Sequence, residues 1–193
     1  SLHDALPISN LQYGATQAWV YAFTFIGGLF ADKILGLRKS LFWGGILMII
    51  GSVILAVDPK NFFFIGLGFT IVGTGFFKPN ISSMVGQLYR DGDPRRDAGF
   101  SFFYMGVNLG ALIGGYICIA VAEGSLWQSL VPENLRWNVG FGFAAVVMII
   151  SLLTFTQTQK SLGSIGLSPL KGLEDSKRKL YEILTFVGSL AIV

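Results

Sequence analysis

Lys78 is the residue in this chain best placed to do chemistry, because of where it stands. It lies in GTGFFKPNISSMVGQLY, Gly73 to Tyr89, an apolar stretch whose nearest other charges are Lys60 and Arg90. An ammonium at the centre of a spanning helix costs about 3 kcal/mol on insertion scales, so it ordinarily faces a cavity or a partner. The alternative is a lysine near a helix end that snorkels to the headgroups, with Pro79 marking the stop. ISSMVG continues the apolar pattern beyond Pro79, which favours the cavity. Tyr21 and Asn108 also fall near the middle of apolar stretches, and Tyr104 precedes Asn108 by one helical turn and shares its face. Asn offers both donors and acceptors, and its plain structural role in lipid is interhelical glue. Together a cation, an amide and phenols suit a ligand with a carboxylate and an amide backbone. On residues alone the reading stops at a polar cavity in a helical membrane protein.

Enzyme signatures fail on context. Gly73-Thr74-Gly75 opens like a dinucleotide fingerprint but lacks the third glycine and a preceding strand. There is no phosphate-binding loop, no HExxH and no pair of carboxylates within an apolar stretch. The one histidine, His3, lies in the N-terminal segment and is read as solvated, so no Ser/His/Asp triad is available. Cys118 is the only cysteine and sits in an apolar run, which excludes a disulfide framework and a cysteine metal site. No metal or cofactor is called for. No basic stripe interleaved with aromatics points to nucleic acid.

The elements that must position these residues are membrane helices. Charged residues make up 13% of the chain against about 25% in soluble domains, and apolar residues 52%. A spanning helix needs about twenty apolar residues. Candidates run from Leu11 to Ala31, Leu41 to Val57, Phe62 to Tyr89, Ala98 to Ala122 and Asn138 to Phe155. The reading is therefore all-α and polytopic. Residues 1–10 form a tail or loop, native or artefactual; residues 11–156 carry five transmembrane helices; residues 157–179 form a linker; and residues 180–193 begin a truncated helix. Both ends look cut, so a fragment is expected.

Loop charges set the orientation. Lys33, Arg38, Lys39, Arg90, Arg95, Arg96, Lys160, Lys171, Lys177, Arg178 and Lys179 fall in alternate loops, and only Lys60 and Arg136 in the others. The first helix then runs from outside to inside, and the linker after the fifth is cytoplasmic. Gly106, Gly110 and Gly114 recur every four residues, forming a smooth face that suits close helix packing or sliding.

The hairpin GGLFADKILGLRKS resembles the loop signature of major facilitator transporters, with Gly28, Asp32, Gly36, Arg38 and Lys39 at the matching positions. GTGFFKPNISSMVGQLY followed by FSFFYMGVNLGALIGG is similar to two signature stretches of the proton-dependent oligopeptide transporter family. The resemblance covers Gln12 to Phe155. It implies helices two to six of a major-facilitator N-terminal six-helix bundle, then the start of an extra helix. It also implies proton-coupled import of di- and tripeptides across the plasma (inner) membrane. Lys78, Asn108, Tyr21 and Tyr104 would line the peptide cavity. Lys78 would meet the peptide carboxylate or take part in proton coupling, and Asn108 would bind the amino end or backbone. Asp32 and Arg38 would join a cytoplasmic network that locks one gating state. The proton is the coupling ion, and the partners implied are small peptides, protons and the lipid bilayer. Two parts of the family pattern are missing: the first helix with its Glu-x-x-Glu-Arg pattern, and the C-terminal bundle. Alternating access rocks two bundles about a midplane site, so this part alone is expected not to transport. Competing readings are a major-facilitator transporter of nitrate, an amino acid or a drug, and a non-transporting scaffold or receptor.

Overall fold

Lipid offers no hydrogen-bond partners, so apolar stretches satisfy their backbone by coiling into helices. In the computed structural model the described residues are 2–123, 130–168 and 175–193, with side chains described over 10–29, 33–123, 130–168 and 176–193. The helices are α1 (Leu2–Phe30), α2 (Leu37–Val57), α3 (Phe63–Gln87), α4 (Arg95–Ala122), α5 (Arg136–Thr158) and α6 (Asp175–Ala191). The all-α fold expected from composition is the fold observed. Segments Asn10–Leu35, Leu37–Val57, Arg95–Ala122 and Glu133–Leu162 are long and apolar enough to cross a membrane. Helix α3 matches them in length but not in hydropathy, because Lys78, Pro79 and Asn80 interrupt its apolar run.

Several boundaries differ from the sequence reading. Helix α1 begins at Leu2, so residues 2–10 are helical rather than a tail. Pro7 stands near enough to the helix start that its missing N–H removes only one early bond. The charged hairpin is mostly helical: a π-helical turn, Ala31–Leu35, continues α1, and α2 takes up Arg38 and Lys39. Between them Gly36 has φ 77° and ψ 159°, a region that essentially only glycine enters. A Cβ there would also sit 2.6 Å from the Ser168 nitrogen. The described part of the linker, residues 157–168, is not free coil. Gln159–Leu162 forms a 3-10 turn and Gly163 and Gly166 turn the chain with positive φ, while Lys171 lies outside the described residues.

Helix α6 is not the apolar start expected from Leu180. It begins at Asp175, and Glu182, Thr185 and Ser189 face inward and are buried, while Leu180, Ile183, Val187 and Leu190 face outward. That inverted amphipathicity suits a helix with protein on one side and lipid on the other.

Helices α2 and α3 form the most extensive pair. Helix α1 packs on α3, α5 on α2, and α4 mainly on α5. One core cluster joins Phe23, Leu35, Leu47, Val72 and Phe76; a second joins Leu37, Leu41 and Met84.

Candidate functional site

The three consecutive residues Lys78, Pro79 and Asn80 point to three environments. The Lys78 ammonium lies 5.7 Å from the centroid of the Tyr21 ring on α1. Tyr21 is near the middle of the span Asn10–Leu35, so the contact holds the cation at mid-helix depth rather than at a helix end. A lysine over a phenol face gains about 0.5–1 kcal/mol where exposed and more where desolvated. Both side chains are open on this face of the chain. Pro79 packs toward Gly28 and has no N–H to offer the Gly75 carbonyl one turn back. That carbonyl lies against Gly27 of α1, where a side chain would have no room. Asn80 turns inward, is 1% exposed, and donates from Nδ2 to the Phe76 carbonyl at 2.6 Å.

Tyr104 and Asn108 form a second, separate pair on α4. The Tyr104 ring stacks on Phe100 with centroids 6.4 Å apart and meets Phe103 edge-on at 5.2 Å. Asn108 is exposed and has no hydrogen-bond partner among the described residues. The structure thus joins Lys78 with Tyr21 and Tyr104 with the α4 aromatics, and no described contact links the two pairs.

Among the described residues nothing packs on the glycine face of α4. A Cβ on Gly106, Gly110 or Gly114 would meet nothing within 4 Å. Close packing falls to glycines the sequence reading passed over. Gly44 crosses Gly73, Gly51 crosses Gly66, and Gly75 meets the backbone of Phe23. Gly44 and Gly51 are seven residues apart, as are Gly66 and Gly73, a same-face spacing that was available as a signal. Gly73 and Gly75, which imitate a nucleotide fingerprint, are instead the points where α3 crosses α2 and α1.

The loop motif forms a docking plate. Arg38 Nη2 donates to the Gly163 carbonyl at 2.7 Å, and the Arg38 backbone N–H donates to the Gly166 carbonyl at 3.0 Å. Gly166 in turn donates to Gln87 Oε1 at 3.2 Å, and Ser168 Oγ to the Ile34 carbonyl at 2.8 Å. Lys39 Nζ pairs with Glu182 Oε1 at 2.6 Å. The side chain of Asp32 lies outside the described residues. Gln87, Gly163, Gly166 and Ser168 were not read as functional, and nothing local in the sequence links them to Arg38.

At the opposite end Asp58 closes α2. Its carboxylate accepts the Asn61 and Lys60 backbone N–H groups at 3.1 Å each and the Asn61 amide at 2.7 Å. The hydrogen bonds from the Asn61 backbone and side chain hold its pKa below the usual carboxylate value. Asn138, just inside α5, donates to the Ala56 and Val57 carbonyls at 2.8 and 3.1 Å, satisfying the end of α2.

The sequence model of the POT family matches residues 38–179. An uncharacterized transporter of Bacillus subtilis, YclF, is 44% identical over 76% of the chain and 28% of its own length. A di-/tripeptide transporter of Lactococcus lactis is 37% identical over 94% of the chain and 34% of its own length. A crystal structure of a mutant peptide transporter POT in complex with alafosfalin superposes with a TM-score of 0.73 at 36% identity. The match covers 92% of this chain and 35% of that one. The chain spans about a third of the length of the relatives it matches.

Proposed function

Because this chain belongs to the POT family, we propose that it supplies helices two to six of the N-terminal bundle of a proton-coupled importer of di- and tripeptides. It is an integral membrane protein, with helices long and apolar enough to span and relatives that are transporters. In this reading the protein sits in the plasma (inner) membrane with residues 157–179 cytoplasmic. Lys78 binds the peptide carboxylate or couples to the proton, Tyr21 shapes the pocket beside it, and Asn108 and Tyr104 meet the amino end or backbone. Asp32 and Arg38 act in gating, for which the Arg38 anchorage of residues 163–166 is the supporting geometry. The relatives' names support peptides as the substrate class.

The observation that carries the site is the Lys78 ammonium held over Tyr21 at mid-helix depth on an open face. A free carboxylate arriving there meets a cation. Charge-assisted hydrogen bonds contribute about 1.5–3 kcal/mol. In the full-length transporter Lys78→Gln should therefore weaken a dipeptide with a free C-terminus roughly ten- to hundredfold, and its C-terminally amidated form far less. Equal losses for both peptides remove the carboxylate role. Normal exchange of both peptides with no gradient-driven uptake assigns Lys78 to proton coupling. No peptide binding in the wild type returns the protein to carriage of another solute.

A further inference from the structure

Helix α6 leaves a cavity of about 230 Å³ between itself, α1 and α3. Its walls include Phe23 and Ile26 of α1, Val72 and Phe76 of α3, Leu184 of α6 and Ile192 just past the end of α6. Two lining hydroxyls of α6 are already engaged: Thr185 Oγ1 donates to the Tyr181 carbonyl, and Ser189 Oγ donates to the Phe186 carbonyl while accepting from Trp43 Nε1. An apolar occupant therefore leaves neither of these two hydroxyls unsatisfied.

Charge adjoins the cavity at the end where Ile34 of the π-helical turn and Tyr181 near the start of α6 line it. Lys33 adjoins Ile34 in the π-helical turn, and Lys177 stands one turn before Tyr181 on the same face of α6. Both lysines are exposed, and no described ion pair neutralises either, whereas neighbouring Lys39 is taken by Glu182. This end belongs to the side that carries eleven of the basic residues. The far side of α6 presents Leu180, Ile183, Val187 and Leu190 outward, as a helix bordering acyl chains does.

We propose that the cavity holds part of an acyl chain of an anionic phospholipid of the basic-side leaflet, with the headgroup phosphate at Lys33 and Lys177. An apolar cavity alone would accept any lipid tail. Two exposed cations next to its lining residues, with no ion pair among the described residues, select a negative headgroup, the pattern by which basic pockets between membrane helices recognise anionic lipids. The site is independent of Lys78, which lies on the Tyr21 side of α3.

Native mass spectrometry of the purified protein, offered equal phosphatidylglycerol and phosphatidylcholine, tests the assignment. Phosphatidylglycerol should be retained preferentially. Each lysine near an anionic surface is worth about fivefold, so Lys33→Gln with Lys177→Gln should weaken that retention roughly twenty-five-fold. Gly188 lines the cavity and a Cβ there meets nothing within 4 Å, so Gly188→Leu should fill the space and abolish retention with both lysines intact. The lysine pair alters only exposed side chains, so it reads the headgroup arm whether or not Gly188→Leu folds. Excess glycerol phosphate should not compete; if it does, the site is one for free phosphate and the acyl assignment fails. Equal retention of the two lipids overturns the proposal, as does a preference untouched by the lysine pair or retention by folded Gly188→Leu.

Discussion

Gly73 and Gly44 cross so closely that a Cβ on either would lie 2.7 Å from the other's carbonyl oxygen. The obstacle on each side is backbone, which cannot swing aside as a flexible side chain would. Gly73→Ala should therefore destabilise the bundle by about 1–3 kcal/mol, the usual range for overpacking a filled interior. Gly106→Ala adds the same methyl where nothing lies within 4 Å, and should raise stability by about 0.5–1 kcal/mol through helix propensity. Equilibrium unfolding in mixed micelles compares the two. Equal stabilities would mean that α2 and α3 do not pack through this crossing.

That contrast marks how far the sequence could be read. The all-α fold followed from apolar runs and scarce charge, and Lys78 stood out because its surroundings lacked any other charge. The glycines were harder. Spacing identified a smooth face on α4 but not what covers it, whereas the true crossings required knowing that α2 and α3 are neighbours. The docking of residues 163–168 was illegible for the same reason: Arg38 and Gly163 are joined only after five helices fold. The ends of α6 and α1 were misjudged because hydropathy alone does not recognise a helix whose polar face turns inward, or one that runs through an early proline.

Arg38 should be what holds the linker turn in place. Its guanidinium and its backbone N–H both reach carbonyls of the turn, at Gly163 and Gly166. Removing a charged hydrogen bond costs about 1.5–3 kcal/mol. In Arg38→Ala, hydrogen exchange at the Arg38-position amide should accelerate roughly ten- to hundredfold, while exchange in the middle of α2 stays as in the wild type. Unchanged exchange at that amide would mean that the turn holds itself.

Orientation is open to a direct test. With Cys118 replaced by alanine, cysteine at exposed Asn61 should react with an impermeant thiol reagent in intact cells. Cysteine at exposed Ser164 should react only after lysis. Ser40 lies in the same charged loop region but is fully buried and would report nothing. The reverse labelling pattern would invert the topology and with it the leaflet assigned to Lys33 and Lys177.

Asp58 gives a pH signature. Because hydrogen bonds from Asn61 depress its folded pKa, ionised Asp58 stabilises the folded state above the unfolded value of about 3.9, and this contribution is lost as pH falls through the folded value. Wild type should melt above Asp58→Ala at pH 7, and the gap should narrow as the medium is acidified below about pH 4. A gap constant from neutral to acid pH would show that charge at Asp58 plays no part.

The Lys78–Tyr21 contact predicts a dependence on the ring face rather than on the hydroxyl. No hydrogen bond joins the two side chains; the ammonium sits 5.7 Å from the ring centroid. Tyr21→Phe keeps the face and should change dipeptide affinity little in the full-length transporter. Tyr21→Leu removes the face, frees the lysine to choose other positions, and should cost about two- to fivefold, matching the 0.5–1 kcal/mol of an exposed cation–π pair. The loss should vanish in a Lys78→Gln background, since there is no cation left to position. A double-mutant cycle on peptide binding isolates that coupling, because the two residues touch and their effects should not add. If Tyr21→Leu costs the same in both backgrounds, Tyr21 acts through the shape of the pocket alone, and the contact with Lys78 contributes nothing to substrate recognition.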